Sequence, residues 1–176
     1  MKQKKEKFIA AKKPELLLPV GNIEAFYAAI AGGADAVYLG LSSFNARGRA
    51  KNFTIWQLQW LITYALRKKV KIYVTLNTLI KNKELPELLN FLHLLQQVRI
   101  SALIIQDWGV YQIVRKYFPN FEIHASTQMG VHNSVGTTLF KQLGFQRTIL
   151  SRELTMPEIE TIAEKSDIEL EVFVHG

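Results

Sequence analysis

Cysteine is absent from the 176 residues. For chemistry carried by this chain alone, that excludes disulfides, thiolate zinc sites, iron–sulfur ligation and thiol nucleophiles. Long apolar runs are missing as well. Leu16-Leu17-Leu18 lies between Pro14 and Pro19 and is too short for the core of a signal peptide. The apolar run at 102–105 falls far below the roughly 20 residues that span a bilayer. No membrane segment is expected, and a cytoplasmic protein is the default. Familiar catalytic signatures are wanting too: there is no G-x-S-x-G elbow, H-E-x-x-H pair, Walker loop or G-x-G-x-x-G. What is present is an apolar content of 48%, which argues against disorder, and a length suited to one domain.

The excess of 22 Lys and Arg over 15 Asp and Glu suggests a polyanion partner until it is located along the chain. Residues 1–13 hold six lysines and one acid, Glu6, whereas the remainder holds 16 bases and 14 acids. The body is nearly neutral. The basicity belongs to a short arm, read as a solvated, flexible tail in preference to a polyanion contact. Arg67-Lys68-Lys69, with Lys71, closes a predicted helix, where cations favour the helix dipole without needing a ligand. The sequon Asn52-Phe53-Thr54 marks a helix entry, because Thr54 followed by Gln57 makes a capping box.

Short β-rich runs alternate with longer helical ones. Strands are expected at 15–18, 36–39, 71–76, 102–105, 122–125, 147–150 and 169–174, and helices at 23–31, 55–68, 85–98, 110–117, 134–143 and 157–165. Asn22, Thr54, Asn133 and Thr155 stand where helices start, and Gly32-Gly33 and Gly144 where they stop. Strict β-α alternation with apolar strands predicts a parallel sheet covered by helices. An open doubly wound sheet and a (β/α)8 barrel both satisfy that pattern. Seven strands and six helices, with polar residues at every strand exit, favour the barrel, where all such loops converge on one mouth. The fold expected is an α/β, TIM-barrel-like architecture that is incomplete.

The strand exits supply the candidate site. They deliver Asn45 and Arg47 after the second strand, Asn77 after the third, Gln106 and Asp107 after the fourth, Ser126 and Gln128 after the fifth, Arg152 and Glu153 after the sixth, and His175 after the seventh. Arg47 and Arg152 offer planar donor forks for a carboxylate or phosphate, or pair structurally with Glu153 or Asp107. Glu153, Asp107 and His175 are the candidates for moving protons. Asn45, Asn77, Gln106, Ser126 and Gln128 are candidate substrate-binding groups. A triad of Ser126, His175 and Asp107 exists only on paper, because nothing marks Ser126 as an exposed nucleophile. His124 alternates with Ile123 and Ala125 and is read as an interior histidine, while His93 and His132 receive no role. No metal ligand set is visible.

The runs ELLLPVGNIEAFYAAIAGGADAVYLG, FNARGRAKNFT, VTLNTLI, ALIIQDWGV, IHASTQM, LSRELTMPEI and LEVFVHG, spread in order from Glu15 to Gly176, resemble the collagenase-like peptidase family U32. The resemblance implies a TIM-barrel-like domain at 14–176 following the tail at 1–13, with further chain or a partner chain completing the barrel. It implies two functions: oxygen-independent hydroxylation of ribosomal RNA, transfer RNA or a ubiquinone precursor, or proteolysis on a peptide substrate. The first leads, and an inactive nucleic-acid-binding piece is the non-enzyme alternative. For the complete hydroxylation protein the resemblance implies a cysteine-held iron–sulfur cluster and prephenate as oxygen donor. No cluster ligand carries over to this chain.

Overall fold

The computed structural model describes residues 13–42, 44 and 53–175. Seven strands, β1 (Leu17–Pro19), β2 (Ala36–Gly40), β3 (Lys71–Leu76), β4 (Ala102–Ile105), β5 (Ile123–Ala125), β6 (Arg147–Ile149) and β7 (Glu169–Glu171), alternate with six helices. The helices are α1 (Ile23–Ala31), α2 (Ile55–Lys68), α3 (Leu85–Val98), α4 (Trp108–Tyr117), α5 (Ser134–Gln142) and α6 (Met156–Glu164). Every strand pairs in parallel with the next in sequence, in the order β1 to β7. Among the described residues no ladder returns from β7 to β1, so the structure is an open, incomplete TIM-barrel-like α/β fold.

Local chemistry fixes the boundaries. Asn22, Thr54 and Asn133 each accept a backbone N–H at a helix start, and Thr54 with Gln57, like Thr155 with Glu158, forms a reciprocal capping box. α4 starts at Trp108, two residues before its expected start, because the Asp107 carboxylate accepts the Val110 N–H at 2.9 Å. β1 starts at Leu17 instead of 15, since the Leu16 N–H donates to the Asp35 side chain at 2.8 Å instead of to a ladder partner. β7 ends at Glu171 instead of 174. It pairs only with β6, and that ladder closes at Ile149↔Glu171.

The sheet has apolar residues on both faces. Val37, Leu39, Val74, Leu103, Ile105 and Ile123 join the main core with the helix residues Leu58, Leu61, Leu88, Leu92 and Leu95. The helix residues recur at the spacing that forms one buried stripe per helix. A separate, smaller cluster of Ala36, Tyr73, Ala102, Ile104 and Ile149 occupies the concave face. Leu103 is fully buried between sheet and helices. Leu103→Ala should cost about 2–5 kcal/mol in urea unfolding, whereas Leu79→Ala, at a residue 73% exposed, should change stability by less than about 0.5 kcal/mol.

Candidate functional site

Strand alternation sends every second side chain into the lumen, and the register stacks them in layers. The lower layer is ionic. Arg147, the first residue of β6 and 6% exposed, donates to Glu15 Oε1 at 2.8 Å, to Glu169 Oε2 at 2.8 Å and to Glu171 Oε2 at 3.3 Å. Glu15 also accepts from Lys71 Nζ and from the Tyr73 hydroxyl, both at 2.8 Å. Burial works against ionisation of Glu15, yet the donors Arg147, Lys71 and Tyr73 outweigh it and bring its carboxyl down to about 2. Burial, helped by the adjacent Glu15 carboxylate, holds the Tyr73 phenol above its ordinary value. Burial also raises the Glu171 carboxyl, against the pull of Arg147.

Above this layer His124 packs edge-on against Tyr73, with ring centroids 4.8 Å apart. The histidine therefore faces the lumen, as the alternation of its strand implies. Its Nε2 lies 3.1 Å from Glu122 Oε1. Burial lowers the His124 pKa despite that carboxylate, and a neutral ring donating from Nε2 satisfies Glu122. Nδ1 is then a buried acceptor without a hydrogen-bond partner.

The upper layer is the mouth, where the described residues include several uncharged polar groups and one cation stacked on an aromatic ring. Gln106 Nε2 donates to the Asn77 carbonyl at 2.8 Å, joining the exits of β3 and β4. Ser126 is buried, and its hydroxyl accepts the Gln128 N–H and faces Gln128 Oε1, both at 3.3 Å. The Arg152 guanidinium lies 4.2 Å above the Phe173 ring centroid and leaves its donor edge to solvent. Arg152 therefore pairs with an aromatic face, not with Glu153 or Asp107. Glu153 and His175 are exposed. Asp107 is spent on backbone: Oδ1 caps α4 and Oδ2 accepts the Ile80 N–H at 3.2 Å. No hydrogen bond joins Ser126 to His175 or Asp107. Asn45 and Arg47 lie outside the described residues, as do residues 1–12 of the basic tail. Lys13, the tail's last residue, lies 3.5 Å from Asp35.

His132 was given no role by the sequence, yet it stands beside Ser151 and Glu153. Its Nδ1 is 3.4 Å from the Ser151 hydroxyl and its Nε2 is 3.6 Å from Glu153 Oε2. This resembles a serine–histidine–carboxylate row, but Nδ1 also lies 3.1 Å from the Gly130 carbonyl. A carbonyl only accepts, so Nδ1 carries the proton and has no lone pair for the Ser151 hydroxyl. Ser151 is thereby left without a general base. Arg147 and Glu15 also went unnoticed in the sequence. Each reads there as an ordinary charged residue at a strand end, and only the fold brings residues 132 positions apart together. Among the described residues no group of three or more His, Asp or Glu could hold a metal. The chain has no cysteine for a cluster.

The ion network sets the acid response. Glu15 titrates near 2 when folded against 4.5 ordinarily, so its contribution is complete above about pH 4.5 and vanishes as pH falls toward 2. That difference corresponds to on the order of 3 kcal/mol. His124 acts in the same direction from higher pH: below its ordinary 6.5 the unfolded chain takes a proton more readily than the buried ring does. Glu171, raised by burial, acts in the opposite sense and offsets part of the loss. Glu15→Gln should lower the urea midpoint at pH 7, and the gap to the parent should narrow below about pH 4.5 and close only as pH reaches about 2. A gap independent of pH would refute the assignment.

The profile of peptidase family U32 matches residues 21–176. The tRNA hydroxylation protein P1 of Bacillus subtilis (strain 168) is 37% identical over 170 residues, which are 97% of this chain and 40% of that protein. The 23S rRNA 5-hydroxycytidine C2501 synthase of Escherichia coli (strain K12) is 34% identical over 96% of the chain and 25% of its own length. A collagenase of Porphyromonas gingivalis (strain ATCC BAA-308 / W83) is 31% identical over 92% of the chain and 41% of its own length. In fold, the solved structure of the U32 peptidase Mk0906 superposes with a TM-score of 0.70 at 10% identity, covering 91% of this chain and 68% of that one. The chain thus spans between a quarter and about two fifths of the length of these curated relatives. Its strand order, its alternating elements and the match across 21–176 agree: the chain belongs to peptidase family U32.

Proposed function

We propose that this chain is the barrel portion of an RNA-base hydroxylation protein acting on transfer or ribosomal RNA. The observation that carries the reading is the 37% identity to a tRNA hydroxylation protein across 97% of the chain. The mouth is consistent with it. Asn77, Gln106, Ser126 and Gln128 are uncharged donors and acceptors suited to the edge of a base, and Arg152 offers a guanidinium already braced on Phe173. In this reading Arg152, with Arg47 from the β2–α2 connection, holds an anionic co-substrate such as prephenate. Glu153 and His175 exchange protons with solvent at the rim. Asp107 positions α4 and the segment around Ile80. A cluster of iron and sulfide does not fit these residues, because none of them is a thiol. In the complete protein such a group would be held by residues outside this chain. No described helix is long and apolar enough to cross a membrane, and a cytoplasmic site of action goes with RNA as the substrate in this reading.

The 31% identity to a collagenase supports proteolysis as the second reading. The arrangement around Ser151 counts against a serine mechanism, since its histidine neighbour lacks a free acceptor nitrogen on that side.

Two measurements separate the readings. Deleting the gene should remove a hydroxylated nucleoside from digested cellular RNA, detected by mass spectrometry, and the complete protein should restore it. In the complete protein, Arg152→Ala should raise the anionic co-substrate concentration needed for half-maximal restoration by about tenfold or more. An intact nucleoside profile in the deletion strain, together with gelatin cleavage by the purified protein, would overturn the hydroxylation reading.

A further inference from the structure

The near-neutral charge of the body conceals a sharp division. Residues 36–83 contain nine Lys or Arg and not one Asp or Glu, while the rest of the chain beyond the tail carries 14 acids against seven bases. α2 lies at the centre of the basic stretch, and its outer face is aromatic. Trp56 is 79% exposed and Trp60 is 49% exposed. With Tyr64 they recur every fourth residue, which places all three on one face of the helix. Trp60 and Tyr64 are stacked, with centroids 6.4 Å apart and planes 29° apart. Tyr27 of α1 braces both rings edge-on, at 5.9 Å from Trp60 and 5.0 Å from Tyr64.

The same face ends in cations. Lys68 Nζ lies 6.0 Å above the Tyr64 ring, and Arg67 and Lys69 flank it, all three exposed. From Trp56 to Lys68 the face runs about 18 Å along the helix. Its aromatic end adjoins the mouth, because α2 begins where the chain returns from the exit of β2. A face of large apolar rings of this exposure is unusual on a soluble surface. A purely apolar partner would leave the cations unpaired, and an acidic peptide would leave the rings unused. Unpaired bases with their phosphates use both.

We propose that the outer face of α2 is a docking surface for a single-stranded segment of RNA. Bases stack on Trp56 and Trp60, and phosphates pair with Arg67, Lys68 and Lys69. The surface guides the strand toward the mouth. The inference rests on the RNA reading above and adds to it a place of contact outside the barrel.

The test uses the whole 176-residue chain and a fluorescein-labelled oligouridylate of about 12 nucleotides. Single strand should bind at least tenfold more tightly than a duplex of equal length. Trp56→Ala with Trp60→Ala, at exposed positions that leave the core intact, should weaken binding by about 10- to 100-fold without changing its salt dependence. Arg67→Gln, Lys68→Gln and Lys69→Gln together should reduce the slope of log affinity against log salt by about 2. In a Trp108→Phe background the oligonucleotide should quench the fluorescence of the two remaining tryptophans.

Equal binding of duplex and single strand, or affinity unchanged in both sets of variants, would overturn the proposal. So would a dimer in light scattering that the tryptophan variants dissociate while RNA binding persists, because the face would then belong to a second copy. None of these results bears on the nucleoside analysis, which decides the hydroxylation reading by itself.

Discussion

A single buried guanidinium ties the two ends of the open sheet together. Backbone ladders link each strand only to its neighbours, and β1 and β7 have no ladder between them. Arg147 spans that gap, holding Glu15 ahead of β1 and both Glu169 and Glu171 of β7, while its guanidinium carbon lies 5.3 Å from the Tyr73 ring centroid. Burying a guanidinium is costly unless its donors are matched, and here three carboxylates and an aromatic face match them. The ion network thus fixes the curvature of a sheet that lacks the closing ladder of a full barrel.

This arrangement divides the lumen by chemistry. Charges are consumed at the lower end, where Lys71 and Arg147 neutralise Glu15, the Tyr73 hydroxyl donates to it, and His124 satisfies Glu122. Among the described residues the upper end keeps amides, hydroxyls and one braced cation with an open edge. Parallel α/β barrels place stability at the first end and ligand chemistry at the second, and the same division holds in this incomplete one. The basic, aromatic face of α2 starts at that upper end on the outside, so a strand docked there as proposed would lie in line with the mouth.

The fold was legible because each level of the sequence agrees. Thr54 with Gln57, Asn22, Asn133 and Thr155 mark helix starts that the structure reproduces, and alternating strands and helices leave few topologies. Boundaries slipped where a side chain competed with the backbone pattern: Asp107 lengthened α4 and Asp35 shortened β1. The site was less legible. Strand exits identified the mouth, but exits alone do not say whether a carboxylate is free, and Asp107 proved to be held by two backbone amides. The ion network was invisible because its parts lie far apart in sequence. The basic character of 36–83 does not show in the net charge of the body, because the acidic excess on either side of it nearly cancels it.

The ion network also answers a question of register. Because both faces of the sheet carry apolar side chains, hydrophobicity alone discriminates weakly between the observed pairing and one shifted by a residue. A shift of β6 by one position would turn Arg147 out against the helices and bring Thr148 into the lumen. Four carboxylates, those of Glu15, Glu122, Glu169 and Glu171, would then face one another with Lys71 as the remaining cation on that face. Opposing that slip, the observed pairing leaves one defect on the helix side, the buried Thr148 hydroxyl without a partner. An unpaired hydroxyl costs far less than an uncompensated buried charge, so the pairing that seats Arg147 inward is the one that the chain adopts.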